Sequence, residues 1–316
     1  MSKTKTTTSL IPRRLTATLT CKQGAVRAVR YNVDGNYCMT CGGDKTVKLW
    51  NPERELVLRT YMGHGGEALD ACSSSDNGQI ASGGMDKQVF IWDVGTGKIT
   101  RKLRGHAAQV NAVAYNEEST VVISASLDGS VKCWDMKSNA RDPIQTLDEA
   151  TDSVLSIAVS DHEILTGSAD NRVRRYDMRQ GQMYADFVGK SATSVNFSRD
   201  GQCLLVSSLD STIRLLDKDN GELLADFTGH KNVEYKIDSC LLSSDAQVVS
   251  GSEDGKVYCW DLIEGTLITV LEHPVNSSMS KGLVTHSLSA HPTMQAFLMA
   301  SGANVYLWKI DEDQDS

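Results

Sequence analysis

No run of apolar residues in this 316-residue chain approaches the about 20 that a membrane-spanning helix requires. An excess of positive charge is missing too. Lys and Arg number 32 against 40 Asp and Glu, a formal net charge of −8, so the electrostatic footprint of a general polyanion binder is absent. No stretch sustains helical periodicity. The eight cysteines follow no framework, and the opening MSKTKTTTSLIPRR has no apolar segment of the kind a secretory signal carries. Reduced thiols in an intracellular setting are therefore expected. Cys38-x-x-Cys41 lacks the second pair that would complete four zinc ligands. Both are expected to pack as small apolar side chains, with no metal and no cofactor. An apolar share of 40% still supplies a core, which excludes a disordered chain.

What the chain does have is a repeat. GGDKTVKLWN (42–51), GGMDKQVFIWD (83–93), ASLDGSVKCWD (125–135) and SADNRVRRYD (168–177) are versions of one segment. SLDSTIRLLD (208–217), SEDGKVYCWD (252–261) and SGANVYLWK (301–309) continue it. The residues closing the seven copies are Trp50, Trp92, Trp134, Tyr176, Leu216, Trp260 and Trp308, at intervals of 42, 42, 42, 40, 44 and 48 residues. A period of ~40–45 residues is that of a four-stranded propeller blade. The third copy shows why. Val110–Tyr115 alternates as a strand does, a polar turn leads to Val121–Ile123, and Asp128-Gly129 is a hairpin turn into Val131–Trp134. Ile144–Leu147 reads as its outer strand. The reading is all-β.

The Gly-His, Ser-x-x-x-Asp and Trp-Asp elements resemble the WD40-repeat family over residues 14–309. That resemblance implies a seven-bladed propeller in which the chain start supplies the last outer strand. Arg14–Leu19 matches later outer strands such as Leu56–Tyr61 and would close the ring. The expected organisation is a flexible tail over 1–13, one propeller domain over 14–310, and an acidic tail over 311–316.

Three sets then fit the family's structural tetrad: His64, Ser82, Asp86, Trp92; His106, Ser124, Asp128, Trp134; and His230, Ser250, Asp254, Trp260. A Ser-His-Asp set invites a hydrolase reading, but a catalytic triad is one converging geometry, not a motif repeated per structural unit. No catalytic residue is assigned, and the chain reads as not an enzyme. The first and fourth copies lack the His, the fifth keeps Asp210 but has Leu216 in place of the aromatic, and the seventh lacks both His and Asp, so those blades are expected to rely more on apolar packing, with opening beginning at the seventh.

Recognition is expected on the face that carries the Asp turns, because loops on a rigid scaffold serve binding. Met85, Leu127, Leu209 and Glu253 precede turn aspartates, and Met85, Leu127 and Leu209 are apolar where polar residues are the norm. They read either as partner anchors or as local packing. Glu234 and Tyr235 in the lengthened loop 231–236 are further partner candidates, as are modifiable serines in the longest insertion, 273–282. Arg172, Arg174 and Arg175, with Arg179, form the basic cluster, either an RNA or acidic-partner contact or a solvated blade rim.

Finally, GAVRAVRYNVDGNYC (24–38), SDHEILTGSADNRVRRYDMR (160–179), SRDGQCLLVSSLDSTIRLLDKDNGELL (198–224) and GHKNVEYK (229–236) resemble the WD-repeat scaffolds known as mitogen-activated protein kinase organizers. This implies a non-catalytic scaffold in cytoplasm and nucleus, with spliceosomal proteins and kinase-cascade components as partners. Membranes, small-molecule substrates and direct nucleic-acid binding are not expected. The alternatives are an RNA-binding splicing factor acting through the Arg cluster, and a substrate adaptor of a ubiquitin ligase.

Overall fold

The computed structural model describes residues 11–272 and 283–310. The tails 1–10 and 311–316 and the insertion at 273–282, with its serines, lie outside the described residues. The described chain forms 28 strands, β1 to β28 in chain order, arranged as seven four-stranded antiparallel sheets. Six are contiguous meanders, spanning 26–62, 68–104, 110–147, 154–187, 192–227 and 239–271. The seventh is not. Its order is β1 (Arg14–Thr20), β28 (Asn304–Lys309), β27 (Ala296–Ser301), β26 (Thr285–Ala290), so the start of the chain is hydrogen-bonded beside its end. The register runs from Arg14 opposite Lys309 to Thr20 opposite Asn304, with one irregularity between Leu15 and Ala17. This is the seven-bladed all-β propeller, closed by the N-terminal strand.

Alternation explains why the blades stack. In each inner and middle strand, one face must be buried against the preceding blade and the other against the next. The cores accordingly lie between sheets. Ala17 and Leu19 of β1 share a cluster with Leu298 and Leu307 of their own sheet, and with Val26, Val29 and Trp50 of the first blade. One strand thus completes the seventh blade and closes the ring onto the first. Cys38 and Cys41 are both buried in strand, and all eight cysteines are free. Burial pushes both of those thiols well above the usual range and suits them as apolar packing.

The inner strands of all seven blades surround a central cavity of about 570 Å³. Arg30 of the first blade reaches across it. Its Nη1 lies 2.7 Å from Asp238 Oδ2 of the sixth blade and donates to Ser287 Oγ of the seventh at 2.9 Å. Its Nε is 3.1 Å from Asp70 Oδ1 of the second, an ion pair without hydrogen-bond alignment. Burial alone would raise the Asp238 pKa, yet Arg30, Lys236 and the Ser287 hydroxyl hold it below the ordinary carboxylate value.

Closure by β1 carries a direct prediction. Deleting residues 1–20 opens the edge of β28 and strips cover from the first blade, so the melting temperature falls and self-association increases. Leu19→Ala, at a fully buried position, costs about 2–5 kcal/mol. Removal of 311–316 leaves melting unchanged. Calorimetry that finds the 1–20 deletion as stable as the intact chain refutes the closure.

Candidate interaction surface and its bracing

The turns between the second and third strands of each blade and the loops entering each inner strand form one face of the ring, here the upper face. In the second blade, His64 Nδ1 lies 3.0 Å from Asp86 Oδ2 and its Nε2 2.8 Å from Ser82 Oγ, while Trp92 Nε1 donates to the same hydroxyl at 2.8 Å. The third blade repeats this with His106, Asp128, Ser124 and Trp134 at 3.1, 2.8 and 2.9 Å. The donors order themselves in one direction, indole to hydroxyl to imidazole to carboxylate, which satisfies every buried polar group with a neutral imidazole. Asp86 and Asp128 also accept the next backbone N–H, from Gly65 and Ala107, and so pin the loop to the turn. Burial lowers the His106 pKa despite its carboxylate neighbour. Against burial, hydrogen bonds from Ser130 and Ala107 and the His106 ring hold Asp128 down to about 2. An ionised acid beside a neutral base is bracing.

The third expected set does not assemble. Trp260 Nε1 donates to the Thr228 carbonyl at 3.0 Å and Ser250 Oγ to the Gly251 carbonyl at 3.0 Å. The Tyr258 hydroxyl donates to Asp254 Oδ2 at 2.8 Å. His230, 4% exposed, is left without a hydrogen-bond partner on either nitrogen, and burial pushes its pKa down to about 4. The cause lies two residues before the tryptophan. Phe90 and Lys132 stand opposite Ser82 and Ser124 in the second and third blades, and Tyr258 stands opposite Ser250. Only the tyrosine carries a hydroxyl that competes for the turn aspartate.

That same position corrects two further expectations. In the fourth and fifth blades it holds Arg174 and Arg214. Arg174 Nη2 lies 2.6 Å from Asp170 Oδ2 and Nη1 donates to Ser168 Oγ at 2.8 Å. Arg214 binds Asp210 and Ser208 alike, both at 2.6 Å. An arginine from within the sheet thus replaces the missing histidine, so these blades do not depend on apolar packing alone. In the first blade Gln23 does so from the loop. Its amide nitrogen donates to Thr46 Oγ1 at 3.1 Å and its oxygen accepts from Thr40, whose hydroxyl in turn accepts from Trp50 Nε1 at 2.9 Å. In the seventh blade Trp308 Nε1 and Thr285 Oγ1 are buried without hydrogen-bond partners.

The basic cluster is consequently not a surface patch. Arg174 is 4% and Arg175 8% exposed. Arg175 Nη1 lies 2.5 Å from Glu163 Oε1, with its guanidinium 4.4 Å from the Tyr184 ring centroid. Arg172 remains exposed and Arg179 pairs with Asp161 at 3.1 Å. Of this cluster, Arg172 alone has no ion-pair partner among the described residues.

The partner candidates divide as well. Met85 and Leu127 are exposed on the upper face, whereas Leu209 is half-buried. Glu253 faces inward, with its side chain 4% exposed. Its Oε1 accepts from the backbone N–H groups of Val233, Glu234 and Tyr235 at 2.7, 2.6 and 3.2 Å, and Lys231 Nζ lies 3.2 Å from Oε2. Glu253 is therefore the clamp of the lengthened loop, not a partner contact. Glu234 and Tyr235 are exposed on that loop, together with Val233, which the sequence reading missed. The Tyr235 ring sits edge-on to His286 at 5.6 Å.

Among the described residues one group could gather metal ligands: His162, Glu163 and Asp177, whose ligand atoms lie within 4.8 Å of one another. Glu163 is already held by Arg175 and by Lys218 at 3.1 Å, and Asp177 Oδ1 caps the N–H groups of Arg179 and Gln180. Two cations on one carboxylate make a poor seat for a third.

Two stability tests follow from this bracing. Arg174→Met leaves Asp170 buried without its cation, at a cost of about 3–5 kcal/mol in urea unfolding; a loss below ~1 kcal/mol would show that the pair is no brace. For His230, the unfolded imidazole titrates near 6.5 and the folded one near 4. The unfolded state therefore binds the proton more readily between those values, and stability present at neutral pH is lost as pH falls through that window. His230→Gln flattens the profile there. Identical pH profiles for the two proteins would contradict the buried neutral ring.

Comparisons with known proteins agree with this geometry. The β-propeller profile described as "Nucleolar protein 10-like, N-terminal domain" matches residues 38–242, and that of the "WD domain, G-beta repeat" matches 13–51. WD repeat domain-containing protein 83 of Xenopus tropicalis is 64% identical over 299 residues, covering 95% of this chain and 93% of the relative. The Homo sapiens protein of that name is 59% identical over the same length and coverage. A Dictyostelium discoideum homolog is 32% identical over 320 residues, 92% and 96% of the two chains. With seven four-stranded blades and relatives matched over nearly their whole length, the chain belongs to the WD40-repeat family, in the group of WD repeat domain-containing protein 83.

Proposed function

We propose that the chain is a non-catalytic scaffold that docks protein partners on its upper face, serving pre-mRNA splicing assemblies and the mitogen-activated protein kinase cascade, in both nucleus and cytoplasm. One observation carries the docking reading. Met85 and Leu127 are large apolar side chains exposed on turns that the partly buried Asp86 and Asp128 pin to the neighbouring loops. Exposed apolar residues on an immobile frame lose little conformational freedom when a partner covers them, and such anchors carry most of an interface's energy. Val233 and Tyr235 add a second anchor on the loop that Glu253 clamps. The scaffold role is supported by family membership, since WD40 propellers generally mediate protein–protein interaction. The splicing and kinase assignments rest on the resemblance of the stretches 24–38, 160–179, 198–224 and 229–236 to the kinase-organizer group.

The test is capture of spliceosomal and kinase-cascade proteins by the intact chain, with nuclease present. Met85→Asp with Leu127→Asp reduces capture while the melting temperature stays unchanged. Capture that survives the double substitution, or melting that falls in step with it, counts against docking at these turns. Capture abolished by nuclease alone would favour a nucleic-acid bridge.

A further inference from the structure

On the lower side wall, away from the face discussed above, the fifth and sixth blades expose an apolar strip. Leu223 and Leu224 open the outer strand β21 (Leu223–Phe227), and Leu267 opens the outer strand β25 (Leu267–Leu271). All three are about half exposed, and Ile263 in the turn leading to β25 is 90% exposed, above every other large apolar side chain among the described residues. The turn that carries Ile263 lies against the outer strand of the fifth blade. A Cβ added to Gly265, in the same turn as Ile263, would sit 3.9 Å from the Asp226 carbonyl of β21. Asp261 Oδ1 accepts from the N–H groups of Ile263 and Glu264 at 2.9 Å each, which fixes the turn that projects Ile263 outward.

The exposed charges that flank the strip residues in sequence are all carboxylates, while the cation that acts on Cys259 of the sixth blade, Arg13, comes from the segment before β1. Asp219, Glu222, Asp226 and Glu264 are exposed and flank the apolar residues in sequence and across the blade boundary. None of the four has an ion-pair partner among the described residues. The three cations of the fifth blade are engaged elsewhere, Arg214 with Asp210, Lys218 with Glu163, and Arg199 with the Ser243 carbonyl. The contrast with the second blade is informative. Its outer strand, Ile99–Arg104, carries Arg101, Lys102 and Arg104, the guarding by basic side chains expected of an exposed sheet edge. The strip on the fifth and sixth blades has no such guard. An apolar patch rimmed by uncompensated carboxylates is unfavourable when bare and complementary to one kind of ligand.

We infer that this side wall is a second docking surface, whose occupant is a basic amphipathic segment of a partner protein, with aliphatic side chains interspersed with Lys and Arg. The aliphatic groups cover Leu223, Leu224, Ile263 and Leu267, and the cations meet Asp219, Glu222, Asp226 and Glu264. Burying the aliphatic strip supplies affinity, and the carboxylate rim selects a basic segment over a neutral or acidic one. A ring that docks one partner above and another at its side can hold two proteins at once.

Panning a displayed library of random short peptides on the intact chain tests this, followed by anisotropy measurements on the recovered sequences made as free peptides. The expected sequences combine aliphatic residues with Lys or Arg. They bind Ile263→Asp with Leu223→Asp at least about tenfold more weakly, equal to ~1.4 kcal/mol, and bind Met85→Asp with Leu127→Asp unchanged. Glu222→Lys with Glu264→Lys weakens them too, most at low salt where exposed charges act furthest; this pair also keeps the test open should the apolar variant fold poorly. The inference falls if panning enriches nothing, or enriches neutral or acidic sequences, or if the peptides bind all variants equally. It also falls if the intact protein sediments as a dimer that Ile263→Asp dissociates, since the occupant would then be a second copy.

Discussion

Every other feature of this molecule depends on the pairing of β1 with β28. A four-stranded sheet with two apolar faces cannot stand alone in water, because each face needs a neighbour. Six of the sheets obtain both neighbours from consecutive chain. The seventh has only three strands of its own, and the strand that completes it comes from the other end of the sequence. Leu19 shows the double duty: it is fully buried and packs with Val26 and Val29 of the first blade as well as with Val305 of its own sheet. The rigid upper face, and with it any docking surface there, exists because this strand arrives.

The bracing network shows how one structural need is met by different chemistry. Each turn aspartate requires a donor at its back and a link to the loop beside it. Histidine from the loop supplies this in the second and third blades, and arginine from the third strand in the fourth and fifth. In the first blade a glutamine from the loop links threonine and tryptophan. The sixth blade holds the full set of residue types yet connects them differently, because Tyr258 reaches Asp254 first. Residue identity alone therefore does not define the network; competition among donors does.

Much of the architecture was legible from the repeat itself. The period gave the blade, the strand alternation gave the sheet, and the match of Arg14–Leu19 to other outer strands gave the closure. The misreadings share one source. A sequence displays which charges and hydroxyls are near one another in the chain but not which partner will hold each of them in the fold. Strand alternation already puts Arg174 and Arg175 on opposite faces of the sheet, but it does not say that Asp170 and Glu163 are there to engage them. Glu253 stands where Met85 and Leu127 stand in their own blades, but three loop N–H groups converge on its carboxylate and draw it inward. The side-wall strip went unnoticed because Leu223, Leu224 and Leu267 look like ordinary strand residues until the outer edge is seen to be open.

The Arg30 side chain bears on how such a ring can come apart. It ties the first blade to the second, sixth and seventh from within the central cavity, and so spans the boundary between the seventh blade and the first. An open solenoid frays from its free ends, one repeat at a time. Here the two terminal units are clasped at the rim by a strand and at the hub by a guanidinium, so neither can peel off while the other tie holds. Loss of structure must pass through simultaneous release at both radii, which makes the circle a single cooperative body despite its modular sequence.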